Sequence, residues 1–179
     1  MVWLRPISRG SPRPLVAPVR AGSAWYWSSL FVRGDSSVKE LDQLSNARVA
    51  WVDHYSAAGY LVMRATLRQQ GVELSKMFGA EQFLGTHDAV VRAVLDGDVD
   101  VGATYSHFDD AGRIRAAGWG RANVRVLKSA GPIPSDVMAA SSLLAPATAQ
   151  IVSETLSGSA SGGEPSASGL CVSATSESS

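Results

Sequence analysis

Cysteine is nearly absent from this chain: one among 179 residues, Cys171, in a Ser/Gly/Ala-rich stretch near the end. An internal disulfide and a cysteine-based zinc site are thereby excluded. Neither sign of charge is in excess, with 16 Lys+Arg against 16 Asp+Glu, which removes the electrostatic case for a nucleic-acid partner or a polybasic membrane anchor. No run approaches the ~20 apolar residues needed to cross a bilayer. The opening MVWLRPISRGSPRP has no basic segment followed by an apolar one, so these residues taken literally predict a chain that stays in the cytoplasm. A G-x-S-x-G elbow, a phosphate loop and a histidine pair at helical spacing are also missing. Neither a catalytic site, a metal nor a cofactor is expected.

What is present suits a globular protein of one ordinary domain: 45% apolar and 18% charged residues. Residues 1–14 are rich in Pro, Arg, Ser and Gly and read as an irregular lead-in. Residues 15–17 and 25–32 read as extended stretches, the first Leu-Val-Ala and the second rich in aromatic residues, as strands are. Between residues 35 and 128 short apolar runs alternate with helical patterns. The run 48–52 predicts a strand, and 60–70 a helix ending at Gly71. Residues 82–84 predict another strand. Thr86 then caps a helix over 87–95 with an apolar face of Val90, Val91, Val94 and Leu95, and Gly97 closes it. Two more strands follow at 99–104 and 124–127. Strand alternating with helix predicts an α/β fold with a largely parallel sheet. Residues 157–179 are low in complexity and read as a disordered tail.

In such sheets ligands bind beyond the carboxyl ends of strands, where helix starts point N–H groups outward. Two places qualify: residues 53–59, and Gly85-Thr86-His87. Ser56 and Thr86 would add O–H donors, and His87 an N–H donor or a positive charge. On position alone Ser56 and Thr86 are more often helix caps, Thr86 the better candidate, and His87 is usually a solvated first-turn residue. The acids Asp96, Asp98 and Asp100, like Asp109-Asp110, read as solvated turns and not as metal ligands. Trp25, Tyr26 and Trp27 read as strand packing.

Three blocks, WVDHYSAAGYLVMRATLRQQGV, GTHDAVVRAVLDGDVDVGATY and VRVLKSAGPIPSD, resemble in order and spacing the type 2 solute-binding proteins of phosphonate and phosphite ABC importers. VWLRPI near the start is similar to a further family segment, so the likeness runs from about residue 2 to 156. It implies a partial solute-binding domain over 15–156, with a lobe at 37–128 and inter-lobe crossings at 25–33 and 131–140. The leading strand, helix and loop of the family have no counterpart. The strand over 25–32 is therefore expected to have lost sheet partners and to leave an unpaired apolar edge.

The same resemblance implies the contacts. The family's oxyanion-binding turn matches Ser56, Ala57, Ala58 and Gly59, its histidine matches His87, and its acid after Ile-Pro matches Asp136. Ala57 and Ala58 lack hydroxyls that some members use, although their N–H groups remain. His107 stands where members carry an acid or amide, which implies a more acidic ligand end than an aminoalkyl one. The implied function is the substrate-binding component of an importer, with a small oxyanion as ligand, an ABC permease as partner if exported, and an extracytoplasmic location. Two alternatives stay open: a cytoplasmic ligand-sensing domain on the same fold, and a fragment that binds nothing. An enzyme on this fold would need a nucleophile or cofactor motif that the sequence lacks.

Overall fold

The computed structural model describes residues 12–158 and the backbone of residues 170–173. Two compact units are present, Tyr26–Ile133 and the described residues on either side of it. In chain order the strands are β1 (Arg13–Val19), β2 (Trp25–Arg33), β3 (Ala47–Trp51), β4 (Phe78–Phe83), β5 (Val101–Phe108), β6 (Ile114–Ala117), β7 (Val124–Pro134), β8 (Met138–Ala140) and β9 (Leu170–Ser173). The helices are α1 (Val62–Gln69), α2 (Leu74–Met77), α3 (His87–Asp96) and α4 (Pro146–Gly158), and a π-helical turn, Ala57–Leu61, leads into α1.

The larger unit is a mixed sheet in the order β4-β3-β5-β2-β7, with β6 added to β5. β3 runs parallel to β4 and to β5, whereas β2 and β6 are antiparallel to β5. Alternation along the strands sends side chains into two separate cores. Leu30, Val49, Trp51 and Val101 join Met63 and Leu67 of α1 in one. Phe31, Ala50 and Val52 join Val90, Val91 and Val94 of α3 in the other. Met63 and Leu67 are four residues apart, so they share a helix face, as do Val90 and Val94 of α3. Both cores hold a strand-helix-strand crossover of the kind that parallel neighbours require.

The helix boundaries follow local chemistry. Thr86 caps α3 by accepting a hydrogen bond from the Ala89 N–H, and Gly97 closes it with φ 81°, a left-handed conformation that suits glycine. Gly71, with φ 78°, follows the last turn of α1. The helix expected over 60–70 begins earlier, because Ser56 caps a wider π-helical turn in which the Leu61 N–H reaches the Ser56 carbonyl.

Three expectations are revised. Residues 25–33 form β2, an inner strand flanked by β5 and β7, so the edge expected to be unpaired is paired on both sides. The flanking strands, over 101–108 and 124–134, both run further than the apolar runs at 99–104 and 124–127 suggested. The segment expected to be a disordered tail continues α4 through Gly158 and contributes β9, whose Leu-Cys-Val-Ser backbone pairs antiparallel with β1. A β-branched and apolar tetrapeptide finds a partner there that composition alone does not reveal. Residues 1–11, 159–169 and 174–179 lie outside the described residues, and with them most of the predicted lead-in and the rest of the predicted tail. In the smaller unit β1 lies between β8 and β9, and Leu15, Val16, Ala140 and Ala149 of α4 form its core.

Candidate functional site

The carboxyl ends of β3 and β4 meet at Val52. Its N–H donates to the Gly59 carbonyl at 3.2 Å, and its carbonyl accepts from the Gly85 N–H at 2.7 Å. One residue thus holds the turn 53–59 on one side and the entry to α3 on the other. The two places singled out from the sequence are brought to the same end of the sheet.

Asp53 organises the first turn. Its carboxylate accepts from the N–H groups of Tyr55 at 2.7 Å and Ser56 at 2.9 Å. The Ser56 hydroxyl accepts from the Gly59 N–H at 3.0 Å, and the Leu61 N–H closes on the Ser56 carbonyl. The N–H groups of Ala57 and Ala58 are left at the open start of the turn, as a helix start requires. Ala58 is buried, and its carbonyl accepts from the Ser28 hydroxyl of β2 at 2.5 Å. The protein's own carboxylate therefore occupies part of this turn's donor capacity. Gly59 is required by space: a Cβ there would lie 2.3 Å from Val52 Cγ2.

At α3, Thr86 takes the Ala89 N–H and its carbonyl takes the Val90 N–H. The first N–H groups, those of His87 and Asp88, remain at the helix end, where the dipole favours negative charge. His87 Nδ1 lies 2.8 Å from the Thr104 hydroxyl of β5. Its ring sits edge-on to Tyr105, with centroids 5.0 Å apart. Tyr105 in turn faces His107 at 5.9 Å, and His107 faces Tyr26 at 6.3 Å. His107 is only 6% exposed. Beyond Gly102, where its pairing with β3 ends, β5 stays paired with β2 as far as Ser106, and β6 joins its other edge from Ser106 onward; this extension carries Tyr105 and His107.

Asp136 belongs to the other unit, where its exposed carboxylate stands 3.6 Å from Arg20. Beside it Ser135 is 5% exposed, and its hydroxyl has no hydrogen-bond partner among the described residues. Sequence reasoning passed over Ser28, Thr104 and Ser135. All three are hydroxyl residues in strands or at a strand end, where composition reads them as neutral filler; only their burial marks them.

Burial holds the His87 imidazole below its ordinary value of 6.5, with the Asp53 carboxylate pulling the other way. The sign of the stability effect follows. Below 6.5 the unfolded chain takes up a proton that the folded one resists, so this contribution is fully present above 6.5 and is lost as pH falls through the lower folded value. Urea midpoints should drop between neutral pH and the onset of carboxylate titration. The drop should be smaller in His87→Gln, and equal slopes in the two proteins would contradict the assignment.

A second concavity, at the amino ends of β3 and β5, is lined by Arg33, Asn46, Arg48 and Asp100. Its charges are matched internally, by Arg33–Asp35 at 2.5 Å and Arg48–Asp100 at 2.7 Å. No metal-binding group of acids, histidines or cysteines occurs among the described residues, and no helix among them is long and apolar enough to cross a membrane.

Sheet order, crossovers and the paired turns define an α/β unit of the type 2 periplasmic-binding-protein class, about one lobe with part of another. Residues 7–170 match the family described as ABC transporter, phosphonate, periplasmic substrate-binding protein, and the chain belongs to it. That family is one of binding proteins, not of enzymes. Among solved structures the chain is similar to XAC2383 from Xanthomonas citri bound to ATP, at 24% identity over 84% of this chain and 58% of that one, with a TM-score of 0.63. It is similar to a binding protein component of an ABC phosphonate transporter from Pseudomonas aeruginosa at 19% identity, over 82% and 50%, with a TM-score of 0.63. PhnD1 from Prochlorococcus marinus, solved in complex with methylphosphonate, is 19% identical over 82% and 57%, with a TM-score of 0.59. The chain thus spans between half and three-fifths of the length of these proteins.

Proposed function

We propose that this chain forms one wall of a cleft for a small tetrahedral oxyanion of the phosphonate or phosphite kind. It would act in the substrate-binding component of an ABC importer, outside the cytoplasm. The observation that carries the reading is the convergence at Val52: the Ser56–Gly59 turn and the α3 start place the N–H groups of Ala57, Ala58, His87 and Asp88 at one end of the sheet. Backbone donors at helix starts bind anions without needing a cationic side chain, which fits a chain with no net charge. In this reading His87 adds a neutral N–H donor, Ser56 orders the turn, and His107 acts through Tyr105 at the cleft's edge. By the family resemblance Asp136 would be a further ligand contact, and an ABC permease would read the closed form. A balanced net charge supports neither a nucleic-acid partner nor a polybasic anchor.

The test is a proton–nitrogen correlation titration of the chain with methylphosphonate, phosphite, phosphate and sulfate, which detects millimolar binding. The amides of Ala57, Ala58, His87 and Asp88 should move together and saturate with at least one of the phosphorus anions. Shifts confined to other residues, or none with any of the four, would exclude the site.

A further inference from the structure

We propose that Thr104 is a positioning residue for His87: its hydroxyl donates to Nδ1, so the ring proton sits on Nε2 and that edge becomes the donor. The consequence for ligand binding rests on the functional reading above; the hydrogen bond and the tautomer do not.

Thr104 lies in the middle of β5, opposite Ser29 of β2, and is 0% exposed. A buried hydroxyl carries one proton and needs an acceptor for it. Among the described residues the bond to His87 Nδ1, at 2.8 Å, is the hydroxyl's single partner. Were Nδ1 protonated and donating, the hydroxyl proton would be left buried without an acceptor. That arrangement is disfavoured by the desolvation of an unpaired donor. Thr104 therefore donates, and the neutral ring keeps its proton on Nε2.

Gly118 completes the device. A Cβ at this position would lie 2.2 Å from Thr104 Oγ1 and 3.1 Å from its Cγ2. Gly118 is itself anchored, through its N–H, to the Tyr105 carbonyl at 3.0 Å. The glycine leaves room for the hydroxyl in the rotamer that reaches His87. Tyr105 stands edge-on to the ring at 5.0 Å, which limits rotation about the Cβ–Cγ bond. Helix start, hydroxyl and aromatic edge fix the imidazole in place and in tautomer. A neutral Nε2–H suits an oxyanion; the opposite tautomer would present a lone pair to it and repel it.

The experiment uses the full chain with 15N-labelled histidine at a pH well above 6.5, where the neutral ring dominates. His87 is assigned among the three histidines by its loss in His87→Gln. Wild type should show a pyridine-type Nδ1 and a pyrrole-type Nε2, and Thr104→Ser should keep both. In Thr104→Val the two resonances should move toward one another as tautomers mix. The apparent affinity for methylphosphonate should fall roughly three- to tenfold in Thr104→Val and return in Thr104→Ser, as expected for one neutral hydrogen bond. If Thr104→Val does not fold, Gly118→Ala, which displaces the same hydroxyl, must give the same spectral change. A pyrrole-type Nδ1 in wild type overturns the proposal even if methylphosphonate binds, as does a spectrum indifferent to both substitutions. The expected tautomer without any anion-induced amide shift leaves the proposal standing and removes the functional reading instead.

Discussion

Trp51→Ala is expected to lower the unfolding free energy by about 3–5 kcal/mol, the range for removing a large aromatic from a packed core. Trp51 is 0% exposed and ends β3, the strand between β4 and β5. Its indole meets Tyr60 and Phe78 edge-on, each at 5.5 Å between centroids. Its Nε1–H donates to Glu81 at 2.7 Å, and Glu81 also pairs with Arg64. Truncation empties the centre of the core beneath α1 and leaves Glu81 to Arg64 alone. Against a typical domain stability of about 5–15 kcal/mol, the loss leaves little margin. Trp51→Phe keeps a ring in place and should cost much less. The measurement is urea denaturation followed by circular dichroism, with a lower midpoint and an unchanged slope. A loss below about 1 kcal/mol would mean that β3 does not anchor the unit and that the turn after it lacks a rigid base.

The elements that were legible in the sequence carry their own boundary chemistry. α3 was readable because Thr86, an apolar face at helical spacing and Gly97 all report on one helix, and the structure uses each as expected. β3 was readable as an apolar run, because a strand buried on both faces loses the alternation that would otherwise mark it. β4 was caught only at its end. Its FGAEQF is largely exposed at the sheet's edge and has neither a run nor a clean alternation. β6 and β9 were missed because four-residue strands gain their stability from a partner, and a partner is not written locally. α4 hid in a stretch rich in Ala, Ser and Thr whose only buried residue is Ala149.

The candidate site divides along the same line. Ser56, Thr86 and His87 announce themselves by sitting at helix starts, which are local features. The convergence of their two turns depends on β4 lying next to β3, a pairing across some thirty residues. Family resemblance supplied the names of the contacts but not the depth of His107 in the sheet, nor the Arg20 partner of Asp136. Thr104 could not have been singled out at all. A threonine in a strand is unremarkable until its neighbour across the crossover turns out to be an imidazole.

Gly59→Ala should both destabilise the larger unit and abolish the anion-induced amide shifts. The new Cβ would lie 2.3 Å from Val52 Cγ2, 2.6 Å from Val52 Cβ and 2.8 Å from the Ser56 hydroxyl. Val52 is 4% exposed and packs with Val90 and Val94 of α3, so it cannot withdraw freely. Overpacking of this kind costs about 1–3 kcal/mol, and displacing Ser56 from the Gly59 N–H adds about 1 kcal/mol for a lost cap. Because Val52 also holds Gly85, strain at Gly59 is passed to the start of α3, and both halves of the site should fail together. Val52→Ala removes the Cγ2 methyl at 2.3 Å and keeps the Cβ at 2.6 Å, so it relieves the closer of the two Val52 contacts. The pair Val52→Ala/Gly59→Ala should therefore be more stable than the sum of the two single losses predicts, by roughly 0.5–3 kcal/mol. A double-mutant cycle in urea, with methylphosphonate titrations on all four proteins, reads both effects. Strict additivity would show that the two residues do not press on one another, and wild-type amide shifts in Gly59→Ala would show that the turn's geometry is not what receives the anion.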